Sequence, residues 1–235
     1  MTRMALAGAR IFAGDIWHDE HALVMDNGLI EALVSVDAVS DNLPMQQLDG
    51  GVLLPGFVDT QVNGGGGVLF NDQPTVEGIT AIVEAHRKFG TTAMLPTLIS
   101  DDFDVIAKAI AAVDDAIQAG VPGVVGIHIE GPFLNVGKHG IHDARKFRTL
   151  DADAIALLSS LKSGKTLVTL APELAPPGTI AALVANGVTV AAGHTLASYD
   201  DMQRAMAEGL SGVTHLFNAM TQLESRAPGV VGASL

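Results

Sequence analysis

The sequence predicts an α/β protein in which a parallel (β/α)8 TIM barrel, with about six of its eight units present, follows a small N-terminal β domain. From Val52 onward, near-continuous apolar strands alternate with segments of helical spacing. This alternation is typical of a parallel sheet covered on both faces, and a doubly wound sheet would also fit it. Polar residues stand at the carboxyl ends of the strands, where a barrel carries its functional groups.

The N-terminal segment, residues 1–51, is expected to form a small β-sandwich portion. Its apolar runs at 9–12, 22–25 and 29–34 are separated by turn residues. Asn27-Gly28 between two of these runs predicts a hairpin, because both residues tolerate positive φ. We therefore predict two domains, 1–51 as the β portion and 52–235 as the barrel.

The barrel region is predicted to contain six strand–helix units. The strands are expected at 52–62, 91–99, 124–130, 166–171, 188–192 and 212–217, and the helices at 75–89, 101–119, 150–163, 179–186 and 198–207. Ser198 and Asp201 form a plausible capping box at the start of the last helix. A closed barrel has eight units and the chain stops on an apolar run, so we expect a truncated polypeptide.

Composition excludes several classes of partner and site. Lys plus Arg is 13 and Asp plus Glu is 26, and the net charge of −13 argues against nucleic acid or an anionic membrane as a partner. The chain has no cysteine, so disulfides and thiolate metal sites are excluded. No apolar run could span a bilayer, and no signal peptide is expected. A cytoplasmic location is consistent with these observations.

Three potential metal ligands stand at matching strand ends. Glu130 ends the third predicted strand, His194 follows the fifth and His215 lies in the sixth. A single strand-end histidine is usually a core residue, and Glu130 alone could cap a segment or pair with an arginine. Together the three residues favour a metal site, since one carboxylate and two imidazoles are a usual set for catalytic zinc. Fe²⁺, Mn²⁺ or Co²⁺ would also suit these ligands.

Four motifs carry a resemblance to a known family. They occupy 55–64 (Pro-Gly-Phe-Val-Asp-Thr-Gln-Val-Asn-Gly), 128–133 (His-Ile-Glu-Gly-Pro-Phe), 193–195 (Gly-His-Thr) and 214–220 (Thr-His-Leu-Phe-Asn-Ala-Met). With these motifs the chain resembles, over essentially its whole length, the N-acetylglucosamine-6-phosphate deacetylases of the amidohydrolase superfamily. The resemblance implies an amidohydrolase-type barrel, a β domain built from both termini, and one divalent metal per subunit, zinc above all, on Glu130, His194 and His215.

The first strand departs from a pattern common among amidohydrolases. Many of them carry a His-x-His pair that binds a second metal, whereas this chain has Gln61 and Asn63 at the corresponding positions. Amides are poor ligands beside imidazole, so a single tightly bound ion is expected. Gln61 and Asn63 stay possible second-metal or near-site positions, and Asn63 could instead serve only the glycine-rich turn that follows it.

The resemblance also implies the substrate and its contacts. The expected reaction is hydrolysis of the acetamide of N-acetylglucosamine-6-phosphate to glucosamine-6-phosphate and acetate. Ile141 and His142 would contact substrate, and His142 would polarise the acetyl carbonyl together with the metal. Asn218, the N–H of Ala219 and Arg226 would bind phosphate, for which the planar fork of arginine is suited. Arg226 would reach the site of a neighbouring subunit, which implies a homodimer, although alone it would pass for a solvated loop residue.

The sequence leaves other functions open. In the family an Asp on the eighth strand acts first as base and then as acid, and no residue of this chain can be matched to it. One alternative is another amidohydrolase that acts on a cyclic or linear amide and binds a carboxylate instead of a sugar phosphate. A second is an inactive metal-binding or sugar-phosphate-binding fragment, and a third is a structural barrel fragment without a ligand.

Overall fold

The computed structural model describes residues 3–235 and contains two compact units, the first ending at Gly56 and the second beginning at Phe57. The strands of the first unit are β1 (Met4–Ala7), β2 (Arg10–Ala13), β3 (Ile16–His18), β4 (His21–Asp26), β5 (Leu29–Ser35), β6 (Met45–Gln47) and β7 (Val52–Leu53). They form a four-stranded sheet in the order β5-β4-β1-β6 and a three-stranded sheet in the order β3-β2-β7. The N-terminal β domain predicted from the sequence is therefore present.

The predicted hairpin is also confirmed. Strands β4 and β5 pair antiparallel around Asn27 and Gly28, which both have positive φ, 49° and 83°. A two-residue turn of this kind matches the twist of the strands that it joins. Small buried side chains of β1 and β4, among them Ala5 and Ala22, form the core of the unit beneath this hairpin.

The second unit alternates strands and helices. Its strands are β8 (Phe57–Val62), β9 (Gly64–Gly65), β10 (Val68–Leu69), β11 (Thr91–Ile99), β12 (Gly126–Glu130), β13 (Lys165–Leu170), β14 (Thr189–Ala192) and β15 (Gly212–Val213). Its helices are α1 (Val76–Arg87), α2 (Phe103–Gln118), α3 (Ala152–Leu158), α4 (Thr179–Ala185), α5 (Tyr199–Ala207) and α6 (Gly229–Ser234). The capping box that opens α5 is formed as predicted, with Ser198 and Asp201 each bonded to the other's backbone.

Six of these strands form one parallel sheet, in the order β8-β11-β12-β13-β14-β15. This is the parallel half-barrel that the alternation of strands and helices predicts. Ile127 and Ile129 of β12, Leu98 of β11 and Ile79 of α1 are completely or almost completely buried between the sheet and its helices. Within residues 3–235, the structure contains no helix of the length and hydropathy that a membrane crossing requires.

Two predicted strands differ from the structure. The expected strand at 52–62 is divided, because Pro55, which has no N–H to donate, lies between β7 and β8. The expected strand at 212–217 ends already at Val213. Beyond it His215, Phe217 and Ala219 have φ of 38°, 77° and 51°, and this backbone cannot continue a sheet. The helix expected at 150–163 is likewise reduced to α3.

Strand β12, which carries Glu130, depends on a glycine at its first position. Gly126 pairs with Lys165 at the start of β13. A Cβ atom added to Gly126 would lie 1.9 Å from the carbonyl oxygen of Lys165. Since only glycine permits this approach of two backbones, the position is a steric requirement of the sheet.

We expect Gly126→Ala to lower the free energy of unfolding by about 3 kcal/mol, because the two strands must separate to admit the methyl group. Thermal unfolding followed by circular dichroism should show a Tm about 10 °C lower. Gly212→Ala is the matched control, since a Cβ there would meet Ala191 at an ordinary contact distance of 3.4 Å. Equal Tm values for the two variants would contradict the prediction.

Candidate active site

Glu130, His194 and His215 converge at the carboxyl ends of their strands. One potential ligand atom of each lies within 4.8 Å of the others. Glu130 Oε1 is 3.2 Å from His194 Nε2 and 3.3 Å from His215 Nε2, and the two Nε2 atoms are 3.1 Å apart. Glu130 and His194 are buried, and His215 is half-buried. The structure thus brings together the three residues that the strand ends singled out.

Backbone carbonyls fix the orientation of both imidazoles. His194 Nδ1 is 2.8 Å from the carbonyl oxygen of Lys138, and His215 Nδ1 is 3.0 Å from that of Asn218. A carbonyl oxygen only accepts, so each Nδ1–H donates, and Nε2 is the ring nitrogen directed toward Glu130. Two such nitrogens and an ionised carboxylate oxygen at this separation need a proton or a metal cation between them. The donor set therefore fits a divalent metal ion.

The charge of the cluster points to the same conclusion. Burial raises the pKa of Glu130, but the contacts with His194 and His215 outweigh burial and hold this pKa well below its usual range. The carboxylate is therefore ionised, and through its hydrogen bond it raises the pKa of His215. Burial lowers the pKa of nearby His128 to about 4, so that ring stays neutral. The cluster attracts positive charge without containing a permanent cation.

Both candidate ligand histidines have an uncommon backbone conformation. His194 has φ of 49° and His215 has φ of 38°, in the left-handed region that non-glycine residues seldom adopt. Such strain persists only where the surrounding structure imposes it, and it concentrates at functional sites. The backbone here is held in the conformation that directs the imidazoles into the cluster.

Glu173 holds the two loops that flank His194. Its carboxylate accepts hydrogen bonds from Thr195 Oγ1, from the Leu196 N–H at 2.7 Å and from Asn135 Nδ2 at 2.9 Å. The N–H of Asn135 in turn donates to the carbonyl oxygen of His194 at 2.9 Å. One side chain after β13 thereby ties the segment that follows His194 to the loop that contains Asn135. The sequence interpretation missed Glu173, although it follows a strand end and the same positional rule would have identified it.

His142 lies beside the cluster. It is buried, and its Nε2 is 3.7 Å from Glu130 Oε2. Its ring centroid is 4.5 Å from that of His194. Burial lowers the pKa of His142 to about 4, so the ring is neutral near pH 7. The neighbouring Ile141, also expected to contact substrate, has an exposed side chain.

The expected phosphate-binding residues occupy the segment after β15. Asn218 is exposed, and the half-buried Ala219 accepts a hydrogen bond from the Thr195 N–H at 3.1 Å. Arg226 is exposed and lines a cavity of about 710 Å³ together with Lys138 and Tyr199. The lining of this cavity does not include Glu130, His194, His215 or His142.

The amides at the end of β8 are not joined to the cluster. Within residues 3–235, no hydrogen bond links Gln61 or Asn63 to Glu130, His194 or His215. The N–H of Gln61 donates to Asp59 Oδ1 at 3.1 Å. The Nδ2 of Asn63 is buried and, among the described residues, has no hydrogen-bond partner.

Comparison with known proteins gives matches over both units. A family described as NagA composite domain matches residues 4–53, and one described as Amidohydrolase family matches residues 52–231. A curated relative, the N-acetylgalactosamine-6-phosphate deacetylase of Shewanella sp. (strain ANA-3), is 42% identical over 97% of this chain. The alignment covers 58% of that relative, so the chain spans less than two thirds of its length.

Solved structures of sugar-phosphate deacetylases also match this chain over almost its whole length. The crystal structure of N-acetylglucosamine-6-phosphate deacetylase from Pasteurella multocida matches with a TM-score of 0.93 and 35% identity, over 99% of this chain and 62% of that one. A mutant of the Mycobacterium smegmatis N-acetyl-D-glucosamine-6-phosphate deacetylase, in complex with N-acetyl-D-glucosamine-6-phosphate, matches with a TM-score of 0.88 and 30% identity. That match covers 99% of this chain and 60% of the other.

We expect Glu173→Ala to weaken zinc binding about 10- to 100-fold, because the segment after His194 and the Asn135 loop lose their common anchor. The dissociation constant can be measured by competition with a chromophoric chelator. Glu84→Ala, at an exposed position of α1, is the control and should bind zinc as the unmodified protein does. Unchanged zinc affinity in a folded Glu173→Ala variant would show that the hydrogen bonds of Glu173 do not support the site.

Proposed function

The chain belongs to the amidohydrolase family, and we propose that it is part of a deacetylase that hydrolyses the acetamide of N-acetylglucosamine-6-phosphate, releasing acetate and glucosamine-6-phosphate. The observation that carries this proposal is the cluster of Glu130, His194 and His215 beside the buried His142. The names of the relatives supply the substrate class. The chain spans only part of their length, so the activity of the whole protein belongs to the proposal.

The proposed cofactor is one divalent metal ion per subunit, zinc above all, with iron, manganese and cobalt compatible with the same donors. Glu130, His194 and His215 would hold it. When bound, such an ion supplies Lewis acidity, which lowers the pKa of a water molecule and polarises a carbonyl group. The inward-facing Nε2 atoms of both imidazoles and the ionised carboxylate support this assignment.

His142 is proposed to donate a hydrogen bond to the acetyl carbonyl oxygen. The Ser100 N–H donates to His142 Nδ1 at 3.2 Å, so the ring proton resides on Nε2, on the side of the ring that faces Glu130. A donor fixed in a buried site stabilises the negative charge that develops on the carbonyl oxygen during hydrolysis. No residue is assigned to the proton transfers, since none matches the eighth-strand Asp of the family.

Phosphate recognition is proposed for the segment after β15. Asn218 and the N–H of Ala219 would contact the phosphate of the same subunit, while Arg226 would reach the site of a neighbouring subunit. The cavity that Arg226 lines does not include the cluster, which supports this arrangement. The homodimer and the cytoplasmic location stay predictions from the sequence.

A second candidate substrate is N-acetylgalactosamine-6-phosphate, which differs from the first only in the configuration at C4. It is favoured by the name of the Shewanella relative that is 42% identical to this chain. The reaction, the metal and the role of His142 would be the same for both sugars. Only the contacts with the C4 hydroxyl would distinguish them.

In the complete protein of which this chain is proposed to be part, we expect acetate release from both sugar phosphates to be lost on chelation and restored by zinc, with metal content measured on the same samples. Glu130→Ala should abolish both metal content and release, because a carboxylate ligand is removed. Bound metal without release would favour the inactive binding fragment. Absence of both bound metal and acetate release would refute the site. A Glu130→Ala variant that keeps its full metal content and turnover would refute the ligand assignment.

Arg226→Ala should lower kcat/KM for the phosphorylated substrates about 100-fold, since a charge-assisted hydrogen bond to phosphate is lost. Hydrolysis of unphosphorylated N-acetylglucosamine should not change. Arg87→Ala, another exposed arginine, is the control and should alter neither rate. Equal losses on phosphorylated and unphosphorylated sugars would contradict a phosphate contact and favour a different amide substrate.

A further inference from the structure

We infer that Ser100 is a positioning residue that fixes the tautomer and the orientation of His142. The inference concerns a residue outside the four motifs. Its consequence for catalysis rests on the proposed function, whereas the tautomer itself can be observed independently of turnover. Ser100 follows directly after β11, at the same end of the sheet as Glu130.

Ser100 offers two donors to a single ring nitrogen. Its N–H donates to His142 Nδ1 at 3.2 Å, and its Oγ is 2.8 Å from the same atom. A nitrogen that accepts from a backbone N–H carries no proton, so the hydroxyl also acts as a donor. Among the described residues, Ser100 alone is hydrogen-bonded to this nitrogen. The proton of the neutral ring is therefore confined to Nε2.

The position of Ser100 is itself fixed from two sides. The residue before it, Ile99, is held by Asn71, whose side chain accepts from the Ile99 N–H at 3.0 Å and donates to the Ile99 carbonyl oxygen at 3.1 Å. On the other side the hydroxyl packs against Gly131, where a Cβ atom would come within 2.3 Å of Ser100 Oγ. The glycine of the Glu-Gly-Pro-Phe motif thus provides the space that the hydroxyl occupies.

The loop that carries His142 is anchored at the same strand end. Lys146 pairs with Asp101 at 3.2 Å and also with Asp102, the first and second residues after Ser100. This anchoring returns the loop to the end of β11, so that the ring of His142 meets the hydroxyl. Ser100 then determines which edge of the ring, and therefore which nitrogen, points into the site.

The tautomer matters because the two forms present opposite polarity to the reacting group. With the proton on Nε2, His142 directs a donor into the site, where a carbonyl oxygen can accept it. With the proton on Nδ1, it would direct a lone pair toward that oxygen and toward Glu130 Oε2, 3.7 Å away. The wrong tautomer would lose the hydrogen bond and add repulsion in a buried site.

The test compares Ser100→Ala with Ser100→Thr in the zinc-loaded protein. ¹⁵N NMR of labelled imidazoles, with His142 assigned by the spectrum of His142→Gln, reports which ring nitrogen is protonated. We expect the unmodified protein to show protonated Nε2 alone. Ser100→Ala keeps the backbone N–H, 3.2 Å from Nδ1, but loses the hydroxyl, which is the closer donor at 2.8 Å, so this variant should show a mixture of tautomers. The kcat of the alanine variant should fall about 10-fold while KM changes less than about twofold. Restoration of both readouts by Ser100→Thr would support the role of the hydroxyl.

Ser211→Ala, at an exposed position before β15, is the control and should match the unmodified protein in both readouts. The inference is overturned if a folded Ser100→Ala variant keeps the unmodified ¹⁵N pattern, because the backbone N–H that any residue supplies would then be enough to fix the tautomer. It is also overturned if the unmodified protein carries the His142 proton on Nδ1. Because the NMR measurement needs no turnover, a protein that releases no acetate would refute the proposed function and leave the tautomer assignment intact.

Discussion

The contact among one carboxylate oxygen and two imidazole nitrogens, 3.1–3.3 Å apart, is the constraint on which the rest of the structure depends. The Nε2 atom of each ring faces the carboxylate because the carbonyl oxygens of Lys138 and Asn218 accept hydrogen bonds from the opposite ring nitrogens. Without a proton or a metal cation between them, the carboxylate oxygen and the two nitrogens would move apart. It is maintained by strands that end at one edge of the sheet, by loops bonded to one another, and by a backbone held in left-handed conformations.

The sheet and the loops contribute different parts of this arrangement. Parallel pairing brings the ends of β12, β14 and β15 to a common edge, but it does not select ring tautomers or side-chain orientations. Those are selected by polar groups of the connecting segments. Glu173 fixes the backbone around His194, and Ser100 meets the ring of His142. The site is therefore a product of loop-to-loop hydrogen bonds supported by a rigid sheet.

Much of the fold was predictable from the sequence because its signals are local. The alternation of strands and helices, the Asn27-Gly28 hairpin and the capping box at Ser198 each depend on neighbouring residues. The gathering of Glu130 and the two histidines followed from strand-end position alone. The end of β15 at Val213 and the contacts of the Lys138 carbonyl were not predictable, because they depend on partners distant in sequence and on backbone atoms that every residue possesses.

The left-handed conformations at His215, Phe217 and Ala219 have a consequence for the lifetime of the protein. A segment that stores strain opens more readily than the sheet from which it extends, and it thereby offers proteases a point of attack. A ligand that binds only the closed form opposes this opening, by about 2.7 kcal/mol at a free concentration 100 times its dissociation constant. With a metal in the cluster, the abundance of such a protein in a cell would follow the supply of that metal.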